Sequence, residues 1–481
     1  MTTFDSIILG DESLTQYCAE TLISQGHNLS VLVTDNPDLV AWAKRRKVRV
    51  EPHGRDLAER LKGVSVDWVF SIANLNILPK SVLSLAQKGA VNFHDGPLPK
   101  RAGLNAPVWA MIEGETEHAI TWHLIDDGVD TGDILVQRTV SIAPDDTALT
   151  LNTKCYETGL TSFEDVLAEL ANGLPNRRVQ DASDRSYHAL TDRPQANGLI
   201  RFEQSADETL RLIRALDHGA YWNPLCTPMV KLGDAYFHVG SAELAQSHAE
   251  PGTVIALDEE SLTVAVAGGA IKFSGLRDLQ GKKANPINHV SLGDVLPKLS
   301  DEENVQITSI LRGVAKKDSD WRAKLVGAAP LQLPFTSRDT GPVSSEPTDI
   351  NTTHLAAALA VLGTRLSPQD NTVLAYANGA IKTEAETGLV NAWVPATSNA
   401  LLQDMAEPQH SFANDLFVRD PKLERLATPA LGLSMDAGHI SETEITFEKQ
   451  GSSVIAHVDT GRIAIEYAQV LIRRVRWIAD Q

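Results

Sequence analysis

The chain has 481 residues, 43% of them hydrophobic and 22% charged, and its 62 Asp and Glu against 43 Lys and Arg leave a formal charge of −19. That length holds about two to four domains with proper cores, and the charge argues against a nucleic-acid partner, because phosphate binding runs on clustered Lys and Arg. Cys18, Cys155 and Cys226 lack metal or disulfide spacing, no apolar run reaches membrane-spanning length, and residues 1–30 lack secretory-signal features, so we expect no metal, no membrane partner and a cytoplasmic protein.

The apolar run Ser6–Gly10 reads as a strand, and Leu14, Cys18 and Leu22 follow at helical spacing. After a turn at Gly26-His27-Asn28 come a strand at Leu29–Val33, a helix over 37–45 and a short strand near Val48–Val50. The basic run Lys44-Arg45-Arg46-Lys47 suits the negative end of that helix. Asp67–Ile72 is a third long strand, Ser81–Gln87 is expected to be helical, and Ala90–His94 is the next strand. Strands alternating with helices imply an α/β, doubly wound, mostly parallel sheet. Gly10 is followed by Asp11 and Glu12 and no GxGxxG is present, so a dinucleotide pyrophosphate is not expected at the first turn.

Asn92 and His94 stand two apart on a strand and so project from one face. Asp95, Gly96 and two prolines then end the strand. A polar pair is thereby delivered to a strand exit, which is where open α/β sheets bind ligands. A short helix at Pro107–Ile112 and a strand at Ala119–Ile125 lead to Asp126-Asp127-Gly128-Val129-Asp130-Thr131-Gly132-Asp133. An acidic turn beside the pair can set a carboxylate against the imidazole, raising its pKa and fixing its tautomer. A protonated His with an Asn amide makes two donors for one oxyanion, which suits acyl transfer.

Asn92-x-His94, the Leu98-Pro99-x-x-x-Gly103 loop and Asp130-Thr131-Gly132-Asp133 together resemble the folate-dependent formyltransferases. That family embraces methionyl-tRNA, glycinamide ribonucleotide and sugar-amine formyltransferases and the formylation domains of nonribosomal peptide synthetases. The resemblance implies a formyltransferase fold, a catalytic triad of Asn92, His94 and Asp130, and 10-formyltetrahydrofolate as co-substrate. It also implies a pterin pocket with Asn74, Leu75, Ile77, Leu78, Leu98, Gly103, Asp126, Asp127, Gly128 and Val129 on its walls. Where many relatives have proline after the histidine, this chain has Asp95-Gly96. The runs NFHDGPLPKRAGLNAPVWA and LNTKCYETGLTSFEDVL are most similar to the peptide-synthetase branch. His123 is expected to support the site from behind, and His118 to lie on the surface.

A strand at Ile134–Val140 and a helix over 149–172 complete the catalytic domain, placed at 1–184. The second unit, 197–298, opens with capping-box spacing at Ser205 and Glu208 and an apolar face of Leu210, Ile213 and Leu216. Short segments at 228–232, 236–239, 253–257, 262–266 and 270–273 then argue a small OB-like β-barrel, similar to the C-terminal barrel of tRNA and sugar formyltransferases. Residues 299–481 begin at Asp301-Glu302-Glu303 and include a Pro/Ser/Thr/Asp-rich linker from Phe335 to Thr353. The string from Asp320 to Pro334 resembles an α+β condensation domain of a peptide synthetase, but no HHxxxDG motif is present. This part is therefore expected to be a partial, non-catalytic domain. The implied reaction formylates the amine of an aminoacyl group, with an aminoacyl carrier protein or adjoining synthetase modules as partners. The alternatives are a free amino acid such as hydroxyornithine, a nucleotide-linked amino sugar, or a docking module without catalysis.

Overall fold

In the computed structural model, residues 2–279, 281–334, 336–337, 339–367, 369–402 and 411–481 are described. They fall into two compact units, one running to Leu190 and taking in Arg214–Gly219, the other formed by Thr191–Ile213 and Ala220–Gln481. No described helix is long and apolar enough to cross a membrane.

In the first unit, near-continuous apolar strands are buried on both faces and pair in parallel. The elements are β1 (Asp5–Leu9), α1 (Ser13–Ser24), β2 (Asn28–Val33), α2 (Pro37–Arg46), β3 (Arg49–Glu51), α3 (Leu57–Arg60), β4 (Val66–Ser71), α4 (Lys80–Leu83) and β5 (Ala86–His94). There follow β6 (Ala102–Gly103), α5 (Ala106–Ile112), β7 (Glu117–Leu124), β8 (Ile134–Ser141), α6 (Ala148–Ala171) and β9 (Tyr187–His188). The main sheet has the order β3-β2-β1-β4-β5-β7-β8. Its first five strands are parallel, and β7 and β8 join antiparallel. The sheet is thus mixed, because the Asp-rich turn closes β7 and β8 into a hairpin. The helix expected over Ser81–Gln87 is cut to four residues by β5, which already begins at Ala86.

Helix α6 holds β5 in place. A capping box of Thr147 and Thr150 starts it, and its Gly159 lies so close to Phe93 that a Cβ would strike the ring. Phe93 packs on Trp122, whose indole packs on Phe163 and donates to Ser162 at 3.0 Å. An aromatic layer therefore fixes the strand that carries Asn92 and His94.

In the second unit, Ser205 and Glu208 cap each other at the start of α7 (Ala206–Ala215). The strands of the stretch expected as a barrel are β10 (Met229–Leu232), β11 (Ala235–His238), β12 (Ser241–Ala245), β13 (Val254–Leu257), β14 (Ser261–Val266), β15 (Gly269–Ser274) and β16 (Arg277–Asp278). They form two antiparallel sheets, β10-β11-β16 and β12-β15-β14-β13, over a shared core that includes Val230, Phe237, Val264 and Phe273. Strand β12, Ser-Ala-Glu-Leu-Ala, escaped the sequence reading because it has no β-branched residue.

The C-terminal part of this unit adds α8 (Asp301–Ala315), α9 (Asp318–Leu325), β17 (Ala329–Pro330), β18 (Val343–Thr348), α10 (Leu355–Leu366), β19 (Thr372–Asn378), β20 (Val394–Thr397), β21 (Leu431–Met435), β22 (Ile445–Gln450) and β23 (Ser453–Asp459). Their sheet runs β17-β19-β21-β22-β23-β18, with β20 paired to β19. The stretch expected as a linker thus contains an ordered strand; its first residue, Phe335, lies outside the described residues. Strand β18 reads as linker because it is an edge strand whose Ser344, Ser345, Glu346 and Pro347 are exposed.

Candidate active site

The end of β5 brings Asn92 and His94 against the turn between β7 and β8. Asp130 Oδ2 lies 3.7 Å from His94 Nδ1, an ion-pair distance too long for a hydrogen bond, and accepts the backbone N–H of Gly103 at 2.9 Å. Asp130 Oδ1 lies 3.5 Å from Asn92 Nδ2 and 3.4 Å from His123 Nε2. The structure therefore brings together all three residues of the predicted triad and adds His123. Burial pushes the Asp130 carboxyl up, but hydrogen bonds from His123 and Gly103 and the charges of His94 and His123 outweigh it and hold it at about 2.

Each imidazole is fixed by a carbonyl. His94 Nε2 donates to Arg101 O at 2.9 Å, which leaves Nδ1 facing Asp130. His123 Nδ1 donates to Leu124 O at 2.8 Å, which turns Nε2 toward Asn92 Nδ2 at 3.2 Å. The expectation of two donors aimed outward at one point needs correction on this geometry. His94 has already committed Nε2 to the backbone, and the Asn92 amide nitrogen points at His123 and Asp130. Only the Nδ1 edge of His94 faces the other polar groups of the site. His118, expected at the surface, is buried, and its Nε2 donates to Asp95 O at 2.7 Å. Burial pushes its pKa down.

Asp130 sits in the left-handed region at φ 53°, a strained conformation for a residue with a side chain. It is held there by a later segment. Gln180 Nε2 donates to the carbonyls of Asp130 at 3.0 Å and Gly132 at 2.6 Å, and Arg185 Nη2 donates to Val129 O at 2.8 Å. Nearby, β9 pairs with β6 and so clamps the backbone that presents Gly103 to Asp130. The loop after β5 is clipped by Thr121, whose hydroxyl donates to Gly96 O at 2.7 Å, and by Gln137, which donates to Leu98 O at 2.8 Å.

The residues expected at the pterin pocket divide into three groups. Leu75 and Ile77 are 83% and 86% exposed, and Val129 is 44% exposed. Asn74 holds its own loop through Asn76 N at 3.1 Å and Ser71 Oγ at 3.3 Å. Asp126 accepts from Gly128 N and Thr131 Oγ1, and Asp127 meets Lys80 at 2.7 Å. That ion pair places the 74–80 loop beside the 126–130 turn. Leu78 is half-buried against the core, and Leu98 is buried with Ala102 and Ile134. Below the first loop, His53 Nε2 lies 3.0 Å from Asp11, and His53 Nδ1 lies 3.4 Å from Asn76 Nδ2.

Residues 25–167 match the formyl transferase family, and residues 194–290 match the formyl transferase C-terminal domain. The methionyl-tRNA formyltransferase of Geotalea daltonii is 30% identical over 240 residues, which are 50% of this chain and 73% of that protein. The chain belongs to the formyl transferase family. The methionyl-tRNA formyltransferase of Marinobacter nauticus is 33% identical over 238 residues, 49% of this chain and 73% of its own. Among solved structures, the N-formyltransferase of Helicobacter canadensis, in complex with folinic acid and dTDP-3-aminofucose, aligns over 56% of this chain and 99% of its own at 20% identity and a TM-score of 0.46.

Within this formyl transferase, sequence reasoning missed Arg101, Gln137, Gln180 and Arg185. The last two act fifty or more residues downstream of the turn they hold. Nothing in their local sequence marks them. Gly96 was seen as a breaker, yet its use is packing: a Cβ there would collide with His94 Nε2.

Proposed function

We propose that the chain transfers the formyl group of 10-formyltetrahydrofolate to the amine of an aminoacyl group carried as a thioester by a carrier protein of a peptide synthetase. The convergence of Asn92, His94 and Asp130 at the exit of β5 carries the chemical part of this reading. The likeness of residues 92–110 and 320–334 to peptide-synthetase sequences supports the acceptor. The exposed apolar tips Leu75, Ile77 and Val129 fit a flat heterocycle, which would cover them on a rim joined by Lys80 and Asp127. When bound, 10-formyltetrahydrofolate supplies the activated formyl carbon.

The Asn92 amide donates to the negative charge that develops on the formyl oxygen, swinging one N–H from its present partners. His94 keeps Nε2 on the Arg101 carbonyl, so its Nδ1 edge handles the proton lost by the attacking amine. Asp130, held at about 2, is a weak base at neutral pH and acts as a fixed negative charge beside that imidazole. His123 orients Asn92. A neutral amine is the reacting form, because a protonated one has no lone pair.

The test mixes the protein with 10-formyltetrahydrofolate and aminoacyl-carrier thioesters, free amino acids and nucleotide amino sugars, with product masses read beside an Asn92→Ala control. A mass gain of one formyl group on the thioester, absent in the control, is the expected result. Formylation of free amines alone would move the acceptor to a small molecule, and no transfer at all would end the reading.

A further inference from the structure

The sheet of the C-terminal part carries a hydrogen-bonded row of side chains that formyl transfer does not use. On β18, Ser345 stands opposite His457 of β23 in the antiparallel register, and its Oγ lies 2.7 Å from His457 Nδ1. His457 Nε2 lies 2.9 Å from Glu448 Oε2 on β22, and Glu448 Oε1 accepts the backbone N–H of Gly438 at 2.8 Å. An ionised carboxylate can only accept, so Nε2 carries the imidazole hydrogen and Nδ1 the lone pair. Ser345 therefore donates to His457. His457 and Glu448 are buried while Ser345 is exposed, so a shielded base meets an accessible hydroxyl.

The backbone adds a donor. Thr460 N donates to Pro342 O, and alternation along an antiparallel ladder then turns the N–H of Ser345 away from β23. Among the described residues strand β18 is the last in its sheet, so that N–H faces the sheet's edge beside the residue's own hydroxyl. A nucleophile, its base, a group that orients the base and a backbone donor are thus gathered in one place, which is what acyl transfer through a serine requires.

We propose that Ser345, His457 and Glu448 form a second acyl-transfer site, acting on activated esters or thioesters. Ser345 Oγ attacks the acyl carbon and its proton passes to His457 Nδ1. The new Oγ–C bond forms as the bond to the leaving oxygen or sulfur breaks, and the leaving group takes the proton from His457. Water then attacks the acyl-serine by the same route, releasing a carboxylic acid and restoring the hydroxyl. Glu448 is a positioning residue: it holds the ring so that Nδ1 meets the hydroxyl, and it balances the imidazolium. This gives an activity to a region in which the missing HHxxxDG motif argues against condensation.

An alkyl fluorophosphonate, which captures activated serines, tests the site on the full chain, with adducts read by intact mass and peptide mapping. One adduct at Ser345 is expected in the wild type, and none at that site in Ser345→Ala, whose thermal unfolding should match the wild type. His457→Ala should label about a hundredfold or more slowly, with added imidazole restoring part of the rate. Glu448→Gln should lower the maximal labelling rate and leave the half-saturating probe concentration unchanged. An unlabelled wild type, an adduct confined to another residue, or His457→Ala labelling at the wild-type rate would each overturn the proposal and leave the row as a cross-strand polar ladder.

Discussion

His94 donates to the carbonyl of Arg101, and the chain between them can close only because Gly96 has no side chain: a Cβ at Gly96 would collide with the imidazole Nε2 and crowd Ala106. Adding a methyl group there must push the ring off the carbonyl or spread the loop. Gly96→Ala is expected to fold and to lose about a hundredfold in turnover, the usual cost of displacing a reacting group by an ångström. Formylation kinetics beside a thermal melt check this. Full activity would show that the His94–Arg101 bond does not position the ring.

Asn92→Ala and His94→Ala should each retain the fold. Turnover should fall on the order of a hundredfold or more in each, the loss of an oxyanion donor at Asn92 and of the group that handles the amine's proton at His94. The double variant should fall by much less than the product of the two losses, since residues acting as a unit are not additive. Single-turnover assays with the same acceptor measure all three. Independent, multiplying effects would argue against a shared site.

The grip of Gln180 on the Asp130 and Gly132 carbonyls counters the strain of a left-handed aspartate. Gln180→Ala should therefore lower kcat about tenfold by letting the carboxylate drift from His94. Gln180→Glu exchanges a donor for an acceptor facing two carbonyls and should be worse. Kinetics of both variants decide it. Equal activity in Glu and Ala would remove the donor role.

The legibility of the chain differs between its local and its long-range features. Asn92 and His94 could be found from strand periodicity and the acidic turn from its Asp/Gly-rich composition, both local signals in elements that the sheet must bring together; Asp130 was singled out within that turn by the resemblance to the formyltransferases. His118 was misplaced because one strand position beside a turn looks exposed until the loop carrying Asp95 folds over it. Gln180, Arg185 and the Ser345 row depend on chain segments that meet only in the folded state. The edge strand β18 was hidden for a further reason, since the polar residues and proline that keep such an edge from pairing further also make it resemble a linker.

The Asp11–His53 pair beneath the 74–80 loop predicts a pH dependence. The Asp11 carboxylate, 3.0 Å from His53 Nε2, raises the His53 pKa against the cost of burial, and Asp11 itself, despite burial, is drawn down to about 2 by His53 and its backbone and hydroxyl donors. A raised histidine stabilises the fold fully below its unfolded value of 6.5, and the contribution is lost as pH rises through the higher folded value. The stability gap between wild type and His53→Gln should thus be largest near pH 6 and shrink above neutrality. Asp130 behaves oppositely: its depressed pKa gives stability present above 3.8 that is lost as pH falls through about 2. An acid limb of activity above pH 5 should therefore persist in Asp130→Asn. Denaturant titrations and rates from pH 5 to 9 supply both readouts, and a His53 gap that widened with pH would refute the pairing.

The strongest stability prediction concerns a buried ion cluster in the second unit. Asp318 Oδ2 accepts from Arg193 at 3.1 Å and from Arg419 at 3.0 Å, and Asp415 accepts from Arg419 Nε at 2.9 Å and from Thr227 N at 3.2 Å. All four charged residues are buried. Burial tends to strip the proton from Arg419, but the two carboxylates outweigh it and raise its pKa, whereas burial and the neighbouring Arg419 charge lower that of Arg193. Removing Asp318 leaves two buried guanidinium groups facing one carboxylate. Taking one partner from such an arrangement costs about 3–5 kcal/mol, so Asp318→Ala should unfold at much lower urea. Arg193→Met added to Asp318→Ala should recover part of the loss, because one uncompensated charge goes with it. Urea titrations of the two variants measure the difference. A single variant costing under about 1 kcal/mol would mean that water reaches the cluster and solvates its charges.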